Sequence, residues 1–230
     1  MPKEKSGGII SHPVVNDIDW VEPYMSTDQK KEWLKNTMSV ELSDQEINDT
    51  IDAAENYSMS GYTAIHNGNS PKETALIDAV IEDPNAPVYG KTQYRGIHVS
   101  KSDLNGQDPK EWVEDIIKTG VWKEPGISSF SSSESTAKSF GHFNSDYDDD
   151  DEVHILIIND GHMTGMPFKH LSECTSENEV LHSSKQMLNG MAITGYYTQN
   201  GNEYYIHVDD SKKIGKPKKH KLEKLLIPSF

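Results

Sequence analysis

Two glutamates lie one residue apart in the stretch SENEVL, residues 176–181. If the residues around Val180 form a strand, its period of two places Glu177 and Glu179 on the same face. Two carboxylates at that separation repel each other, so the pair does not help the fold by itself. A solvated strand face is the simple explanation, and a site that receives positive charge is the functional one.

Two earlier stretches carry side chains of complementary chemistry. In TQYRGIHV, residues 92–99, Arg95 lies on a predicted strand. An arginine there usually forms a surface salt bridge, but a rigidly placed guanidinium also suits a phosphate or a carboxylate. In SSFSSSESTAKSF, residues 128–140, alternation would bury Phe130 and place its serine neighbours on the opposite face. Serine richness is also typical of a loop, and Ser133 is a plausible helix N-cap.

Together and in this order, the three stretches resemble the arginine–serine–glutamate class of mono-ADP-ribosyltransferases, of bacterial toxin or phage type. The family pattern is an aromatic-Arg strand, then a Ser-Thr-Ser strand, then Glu-x-Glu followed by apolar residues. The residues here are Tyr94-Arg95-Gly96, Ser131-Ser132-Ser133 and Glu177-Asn178-Glu179-Val180-Leu181.

The resemblance extends over residues 40–210, because the stretch 61–90 is also similar to the helical lead-in of the toxin branch. Ser132 replaces the usual threonine and keeps the hydroxyl. The loop before Glu177 lacks the aromatic residue that some relatives use to engage a target protein. The identity of the target therefore stays open.

The resemblance implies cleavage of the nicotinamide–ribose bond of NAD and transfer of ADP-ribose to a protein side chain. Glu179 would bind the ribose 2′-hydroxyl and stabilise the oxocarbenium-like charge, as carboxylates do in glycosidases. Glutamate at the position of Glu177 goes with arginine as the target in this family. A carboxylate can align a guanidinium bidentately and accept its proton, so Glu177 would serve the acceptor.

The remaining roles also come from the resemblance. Arg95 would grip the NAD pyrophosphate, and Ser131 would hydrogen-bond Glu179 and fix its rotamer. Tyr94 would pack or line the nicotinamide pocket, and Ser133 would support backbone or ribose contacts. Phe168, in the stretch 161–171, would stack over the nicotinamide or be buried. The predicted catalytic residues are Glu179, Glu177 and Ser131, and the predicted NAD-binding residues are Arg95, Tyr94, Gly96, Ser131, Ser133, Phe168 and Glu179.

Helix and strand signals place these motifs in an α+β fold, because helices come first and strands later. Capping boxes predict helix starts at Ser26, Ser43 and Ser70. A fourth helix is predicted over 108–120 and a short one over 133–140. The predicted strands are 94–99, 153–158, 192–197 and 203–208, with a hairpin turn at 199–202.

The resemblance adds a two-sheet mixed β core with an NAD cleft to this α+β assignment. We predict a loosely ordered N-terminus at 1–20 and a single catalytic domain at 21–210. Within that domain, 21–90 would form the helical lead-in and 91–210 the β core. A basic tail would follow at 211–230.

Charge and composition limit the partners. The 230-residue chain carries a formal net charge of −15, which argues against general nucleic-acid binding. No apolar run reaches the roughly 18–20 residues that a membrane helix needs, and the start shows no secretion signal. The single cysteine, Cys174, excludes an internal disulfide and fits a reducing compartment. The acidic run 146–152 and the basic run 212–224 are typical of solvated segments.

No metal is predicted, because His162, His170 and His182 lack the spacing of a ligand set. The expected partners are NAD as a substrate and a protein modified on arginine. We expect action in the cytoplasm of a bacterial host or target cell, after delivery by a phage or a specialised secretion route. An NAD glycohydrolase of the same fold and a non-catalytic binding module remain the alternatives.

Overall fold

The computed structural model describes residues 12–18, 25–104, 106–143, 152–161, 164–199, 201–212 and 214, without the side chain of Thr175. The acidic segment 144–151 and the tail from 215 onward lie outside these ranges, as do residues 1–11 and His162. The predicted loose termini and domain boundaries therefore stay predictions. No helix among the described residues is long and apolar enough to cross a membrane.

The first half of the chain is helical, as predicted. Helices α1 and α2 are followed by a π-helical turn that runs directly into α3, and α4 completes this part. The bounds are Thr27–Thr37 for α1, Asp44–Asn56 for α2, Tyr57–Gly61 for the π turn, Tyr62–His66 for α3 and Pro71–Ile81 for α4.

The predicted capping boxes are confirmed at two of three helix starts. The hydroxyls of Ser26 and Ser43 each accept a hydrogen bond from the backbone N–H three residues on. The side chain of that third residue accepts a hydrogen bond from the backbone N–H of the serine. The box predicted at Ser70 is wrong, because the Ser70 side chain makes no capping hydrogen bond. Glu73 instead accepts a hydrogen bond from Asn56 Nδ2 at 2.7 Å. The helix still begins there, since Pro71 fixes the backbone of the first turn.

The second half carries the main sheet. Its strands and the short β1–β2 pair are connected by three further helices and two short 3₁₀ segments. The strands are β1 Val14–Val15, β2 Val88–Tyr89, β3 Gln93–Ser100, β4 Val121–Trp122, β5 Ser128–Ser131, β6 Glu152–Asn159, β7 Met166–Pro167, β8 Glu179–His182, β9 Met191–Gln199 and β10 Glu203–Asp209. The helices are α5 Pro109–Thr119, α6 Glu134–Phe140 and α7 Ser184–Asn189, and the 3₁₀ segments are Lys101–Leu104 and Thr175–Glu177.

The eight strands of the main sheet follow the order β4-β9-β10-β6-β3-β5-β8-β7. Strands β10 and β6 pair in parallel, and the other neighbours are antiparallel. Strands β3 and β5 share one residue pair, Tyr94 with Ser131. The sheet is therefore mixed, as predicted, and its two halves meet at this pair. The two predicted sheets are thus joined into one eight-stranded sheet.

Separate hydrophobic clusters cover the two faces of the sheet half that contains β5, β8 and β7. The helical lead-in packs on β7 and β8 around residues such as Leu34, Ile51 and Leu181. A second cluster holds Phe130 and Val180 from the opposite face of β5 and β8. This alternation confirms the prediction that Phe130 is buried and that its serine neighbours face the other way.

Helix α6 lies directly against β3 because Gly96 carries no side chain. A Cβ atom at Gly96 would lie 1.7 Å from the carbonyl oxygen of Ala137. Ser133 caps this helix, and its Oγ accepts a hydrogen bond from Thr136 N at 3.2 Å. The packing of α6 thus depends on a close backbone approach beside Arg95, the neighbour of Gly96 on β3.

Candidate active site

A cavity of about 390 Å³ opens where the two halves of the sheet meet. Strands β3, β5 and β8 line it on one side, and the π turn lines it on the other. The lining residues include Tyr57, Met59, Tyr62, Tyr94, Arg95, Gly96, Ser129, Ser131, Glu177 and Glu179. The structure therefore brings the predicted arginine, serine and glutamate motifs to one cavity.

The two glutamates reach this cavity by a route that differs from the predicted one. Glu179 is the first residue of β8, whereas Glu177 ends the 3₁₀ segment before it. Asn178 between them has a left-handed φ of 52°, so the strand period does not apply to this pair. Both carboxylates line the cavity because the chain turns at Asn178, where its carbonyl oxygen accepts a hydrogen bond from Ser132 N.

Glu179 is a buried acid whose charge is only partly compensated. Its side chain belongs to a residue that is 5% exposed, and its Oε2 has no hydrogen-bond partner among the described residues. Burial raises the pKa of Glu179 to about 7, and the Glu177 carboxylate adds to the rise. Burial also raises the pKa of Glu177. A ligand with a hydroxyl donor or a positive charge would satisfy Glu179.

The serine that stabilises Glu179 is not the predicted one. The hydroxyls of Ser129 and Ser172 favour the ionised form of Glu179 and oppose the rise in its pKa. Ser131 instead donates its Oγ hydrogen to the backbone carbonyl of Glu177 at 2.8 Å. It also accepts a hydrogen bond from Ser133 N at 3.0 Å. Ser131 therefore fixes the chain that carries the glutamates, while Ser129 faces the carboxyl group.

Arg95 is held on three sides by the protein. Its Nε donates to Glu124 Oε1 at 2.9 Å, and its Nη2 lies 2.8 Å from Glu124 Oε2. Its Nη1 donates to the carbonyl of Ser129 at 2.7 Å, and its Nη2 donates to the Tyr62 hydroxyl at 3.0 Å. Of five N–H donors, one on Nη1 is left without a partner among the described residues.

Glu124, the ion-pair partner of Arg95, is a residue that the sequence analysis did not single out. It is 7% exposed and also accepts hydrogen bonds from Trp122 Nε1 and Ser128 Oγ at 2.9 and 2.8 Å. Burial alone would raise the pKa of Glu124, but Arg95 and these donors hold it below its ordinary value. A lone glutamate before Pro125 and Gly126 carries no spacing signal that would have identified it.

The π turn contributes residues that the sequence analysis also missed. Tyr57 is 1% exposed and lines the cavity, and its hydroxyl has no hydrogen-bond partner among the described residues. Burial raises the pKa of Tyr57 well above its ordinary value, so the hydroxyl stays a neutral donor. Met59, on the same turn, is 74% exposed at the mouth of the cavity. Single π turns are frequent at functional sites.

Two predicted NAD-binding residues do not line the cavity. Phe168 is 1% exposed and packs edge-on against Tyr57 with 5.9 Å between ring centroids, which matches the buried position given above as the alternative to stacking. Ser133 is the N-cap of α6. Tyr94 and Gly96 do line the cavity. The contacts of all four residues with NAD stay untested predictions.

One group of described residues offers three potential metal ligands, namely His98, His142 and Glu152. The two histidine rings are stacked with 3.7 Å between their centroids and 9° between their planes. In-plane lone pairs on parallel rings do not converge on one ion, so the arrangement as it stands is not a coordination shell.

No protein-family model matches the chain, and no curated protein sequence matches it. Solved structures do. The ADP-ribosyltransferase Vis in complex with an M6 inhibitor aligns with a TM-score of 0.53 and 21% identity, over 82% of this chain and 86% of that chain. Vis is a toxin from Vibrio splendidus, and its complex with agmatine aligns with a TM-score of 0.51 and 21% identity, over 82% and 87%. The chain has the ADP-ribosyltransferase fold.

Exoenzyme S from Pseudomonas aeruginosa, in complex with human 14-3-3 protein beta and bound to carba-NAD, aligns with a TM-score of 0.50. Its identity is 14%, over 88% of this chain and 92% of that chain. These alignments confirm the predicted α+β ADP-ribosyltransferase fold and its likeness to bacterial toxins of this kind. Within the fold, the cavity at the β3–β5 junction holds Arg95, Ser131 and both glutamates.

Proposed function

We propose that this chain is an NAD-dependent mono-ADP-ribosyltransferase that transfers ADP-ribose to an arginine of a target protein. The observation that carries the proposal is the buried Glu179 carboxyl group with an unpartnered Oε2, beside Glu177 in the same cavity. A carboxyl group buried without a full set of partners is costly unless a ligand completes it.

Glu179 would accept a hydrogen bond from the ribose 2′-hydroxyl of NAD. As the glycosidic C–N bond breaks, nicotinamide leaves with the bonding electron pair and positive charge develops on the ribose. An ionised Glu179 that is only 5% exposed would stabilise that charge strongly. The hydroxyls of Ser129 and Ser172 support the ionised form. The unpartnered Tyr57 hydroxyl is a second group available to NAD.

Glu177 would align the acceptor. An arginine guanidinium is permanently protonated, so a nitrogen can attack the ribose only as it gives up a proton. Glu177, half-buried with a raised pKa, can pair with the guanidinium and accept that proton. Vis has been crystallised with agmatine, a guanidino compound, which supports an acceptor of this class. Water would need no such partner, so Glu177 favours transfer over hydrolysis.

Arg95 would act on the NAD pyrophosphate through its remaining Nη1 hydrogen. Its other donors are committed to Glu124, Ser129 and Tyr62. Its contribution would therefore combine one direct contact with support of the β5 backbone. Delivery by a phage or as a toxin-like effector, and action on a protein in a cytoplasm, complete the proposal, since NAD and target proteins are available there.

The experiment is to incubate the purified protein with labelled NAD and agmatine and to follow nicotinamide release and agmatine labelling separately. We expect both products from the wild-type protein. Glu177→Gln should reduce agmatine labelling by about 100-fold and leave nicotinamide release within about threefold. The matched control is Glu32→Gln on α1, outside the cavity, which should change neither.

The two product measurements separate the alternatives. Nicotinamide release without any labelled acceptor, even in a cell lysate, would replace transferase activity with NAD glycohydrolase activity. No nicotinamide release under any condition would refute the proposed function and leave a non-catalytic binding module.

A further inference from the structure

The segment that carries Glu177 is tied to helix α1 by a buried lysine. Lys30 is 1% exposed, and its Nζ contacts Glu55 Oε1 at 2.9 Å and also Glu173 Oε1. Glu55 belongs to α2, whereas Glu173 lies four residues before Glu177. We define residues 170–178 as the acceptor segment.

A buried ammonium makes this tie strong. Removing an ammonium from water is costly unless anionic partners compensate it. If the acceptor segment moved outward, Lys30 would stay buried and lose one of its two carboxylates. Lys30 therefore opposes motion of the acceptor segment more than an exposed ion pair would.

Three further contacts hold the same segment. Trp33, one turn after Lys30 on α1, stacks on His170 with 5.2 Å between ring centroids. From the π turn, the carbonyl of Ser58 accepts a hydrogen bond from Cys174 Sγ at 3.4 Å. The far end of the segment is fixed to β5, since Ser131 binds the carbonyl of Glu177.

One hydrogen-bonded turn connects Glu173 to Glu177, so the placement of Glu173 influences the placement of Glu177. The carbonyl of Cys174 accepts a hydrogen bond from Glu177 N at 3.2 Å. Burial raises the pKa of Cys174 most, and the carboxylates of Glu177, Glu179 and Glu173 add to the rise. The segment therefore lies among acidic side chains, and the ammonium of Lys30, which contacts Glu173, offsets part of their repulsion.

We propose that Lys30 is a positioning residue for the acceptor, which holds the acceptor segment through Glu173 so that Glu177 faces the cavity beside Glu179. The proposal rests on the proposed function for the role of Glu177. The contact between Lys30 and Glu173 does not depend on catalysis. Loss of Lys30 should loosen the acceptor segment around Glu173, so that Glu177 is held only through its backbone, by Ser131 and by the turn to Cys174. Glu179 should be spared, since it is fixed by the β5–β8 ladder.

The test compares Lys30→Met with Lys35→Met. Both lysines lie on α1, but Lys35 is exposed and pairs with an exposed Asp44 at 3.2 Å. Lys30→Met should lower the ratio of agmatine labelling to nicotinamide release by about 10- to 100-fold, the range expected for a misplaced catalytic group. Lys35→Met should leave the ratio unchanged. An unchanged ratio in Lys30→Met would overturn the proposal.

A second readout works without any enzyme activity. Cys174 is the single cysteine of the chain and lies within the acceptor segment, so its reaction rate with a chromogenic aromatic disulfide reports on that segment. Lys30→Met should accelerate this reaction by about tenfold through local opening. Loss of the positive charge alone would slow the reaction, because it disfavours the thiolate. A slower or unchanged rate would refute the tie.

Glu173→Gln and Glu55→Gln form a matched pair, since each removes one carboxylate from Lys30. Only Glu173 lies on the acceptor segment, so only Glu173→Gln should lower the labelling ratio. The ratio decides this pair, because Glu173 itself raises the pKa of Cys174 and its removal would favour the thiolate without any opening. Equal effects of the two would assign Lys30 a general structural role instead. This pair also decides the question if Lys30→Met does not fold. If the wild-type protein shows no activity, the proposed function fails, and the Cys174 rates alone decide the tie.

Discussion

Arg95 and Glu179, which face the same cavity, have opposite surroundings. Arg95 is surrounded by fixed partners and uses four of its five N–H donors within the protein. Glu179 is 5% exposed but keeps an unpartnered oxygen and a pKa raised to about 7. The hydrogen-bonding groups of Arg95 are therefore almost all satisfied by the protein. Glu179 keeps an oxygen that a ligand could bind.

The sequence does not show this contrast, because the resemblance assigns both residues to NAD in the same way. Buried ion pairs with all hydrogen bonds satisfied rigidify a site, and removing one partner is strongly destabilising. Unsatisfied buried acids add little to stability and are found where ligands bind. Substitutions on the two sides should consequently differ in kind, with stability lost on one side and activity lost on the other.

The largest effect is expected from Glu179→Gln. Nicotinamide release should fall by about a thousandfold, or about 4 kcal/mol of transition-state stabilisation, because an amide cannot stabilise the ribosyl cation. The melting temperature at pH 8 should not fall, since the substitution removes a buried charge. A large loss of stability in this variant would mean that Glu179 stabilises the fold, as Arg95 does.

The converse result is expected from Glu124→Gln. Arg95 would keep its burial and lose its counter-charge, which should lower the free energy of unfolding by about 3 kcal/mol. Denaturant unfolding measures this loss. The matched control is Asp115→Asn, which breaks an exposed pair with Lys118 and should leave the melting temperature unchanged. An equal loss of stability in the two variants would show that the Arg95–Glu124 pair does not stabilise the protein more than an exposed pair does.

The raised pKa of Glu179 predicts opposite pH trends for activity and stability. Transfer needs the ionised form, so kcat/KM for NAD should fall about tenfold per pH unit below pH 7. The kcat profile should show a lower pKa, because the positive charge of bound NAD favours the carboxylate.

Stability should change in the other direction. The folded state binds the Glu179 proton more tightly than the unfolded state, whose pKa is near 4.5. The resulting stabilisation is complete below about pH 4.5 and is lost as pH rises through about 7, by about 3 kcal/mol in total. The difference between wild type and Glu179→Gln, measured by unfolding at pH 4, 6 and 8, should follow this trend. A pH-independent difference would contradict the raised pKa.

The smallest effect is expected from Ser133→Ala. As the N-cap of α6, Ser133 should contribute about 1 kcal/mol to stability and little to activity. Thermal unfolding and nicotinamide release measured on the same sample separate the two roles. A substantial increase in KM for NAD would instead support the predicted contact of Ser133 with the ribose.

Much of the local structure could be predicted from sequence because it depends on neighbours along the chain. The capping boxes at Ser26 and Ser43 and the stop at Gly120, with its φ of 73°, are set by residues within one helical turn. The long strands β3, β6, β9 and β10 followed from alternation and from the hairpin signal. The motifs of Arg95 and Glu179 were also recognisable, since each lies within one short stretch.

The partners of those motifs were decided only by the tertiary structure. Arg95 and Glu124 are 29 residues apart, and no periodic pattern connects a strand residue to a glutamate in a loop. The choice of Ser129 over Ser131 beside Glu179 depends on the turn at Asn178 and on how β5 pairs with β8. Lys30 and Glu173 meet across 143 residues.

The sequence by itself determined which helices and strands form and which residues could do chemistry, because propensity, capping and alternation act over a few residues. Only the tertiary structure decided which of those residues are satisfied by the protein and which are left for a ligand. Burial and long-range hydrogen bonding set the pKa values and the unpartnered atoms, and both arise when strands distant in sequence become neighbours.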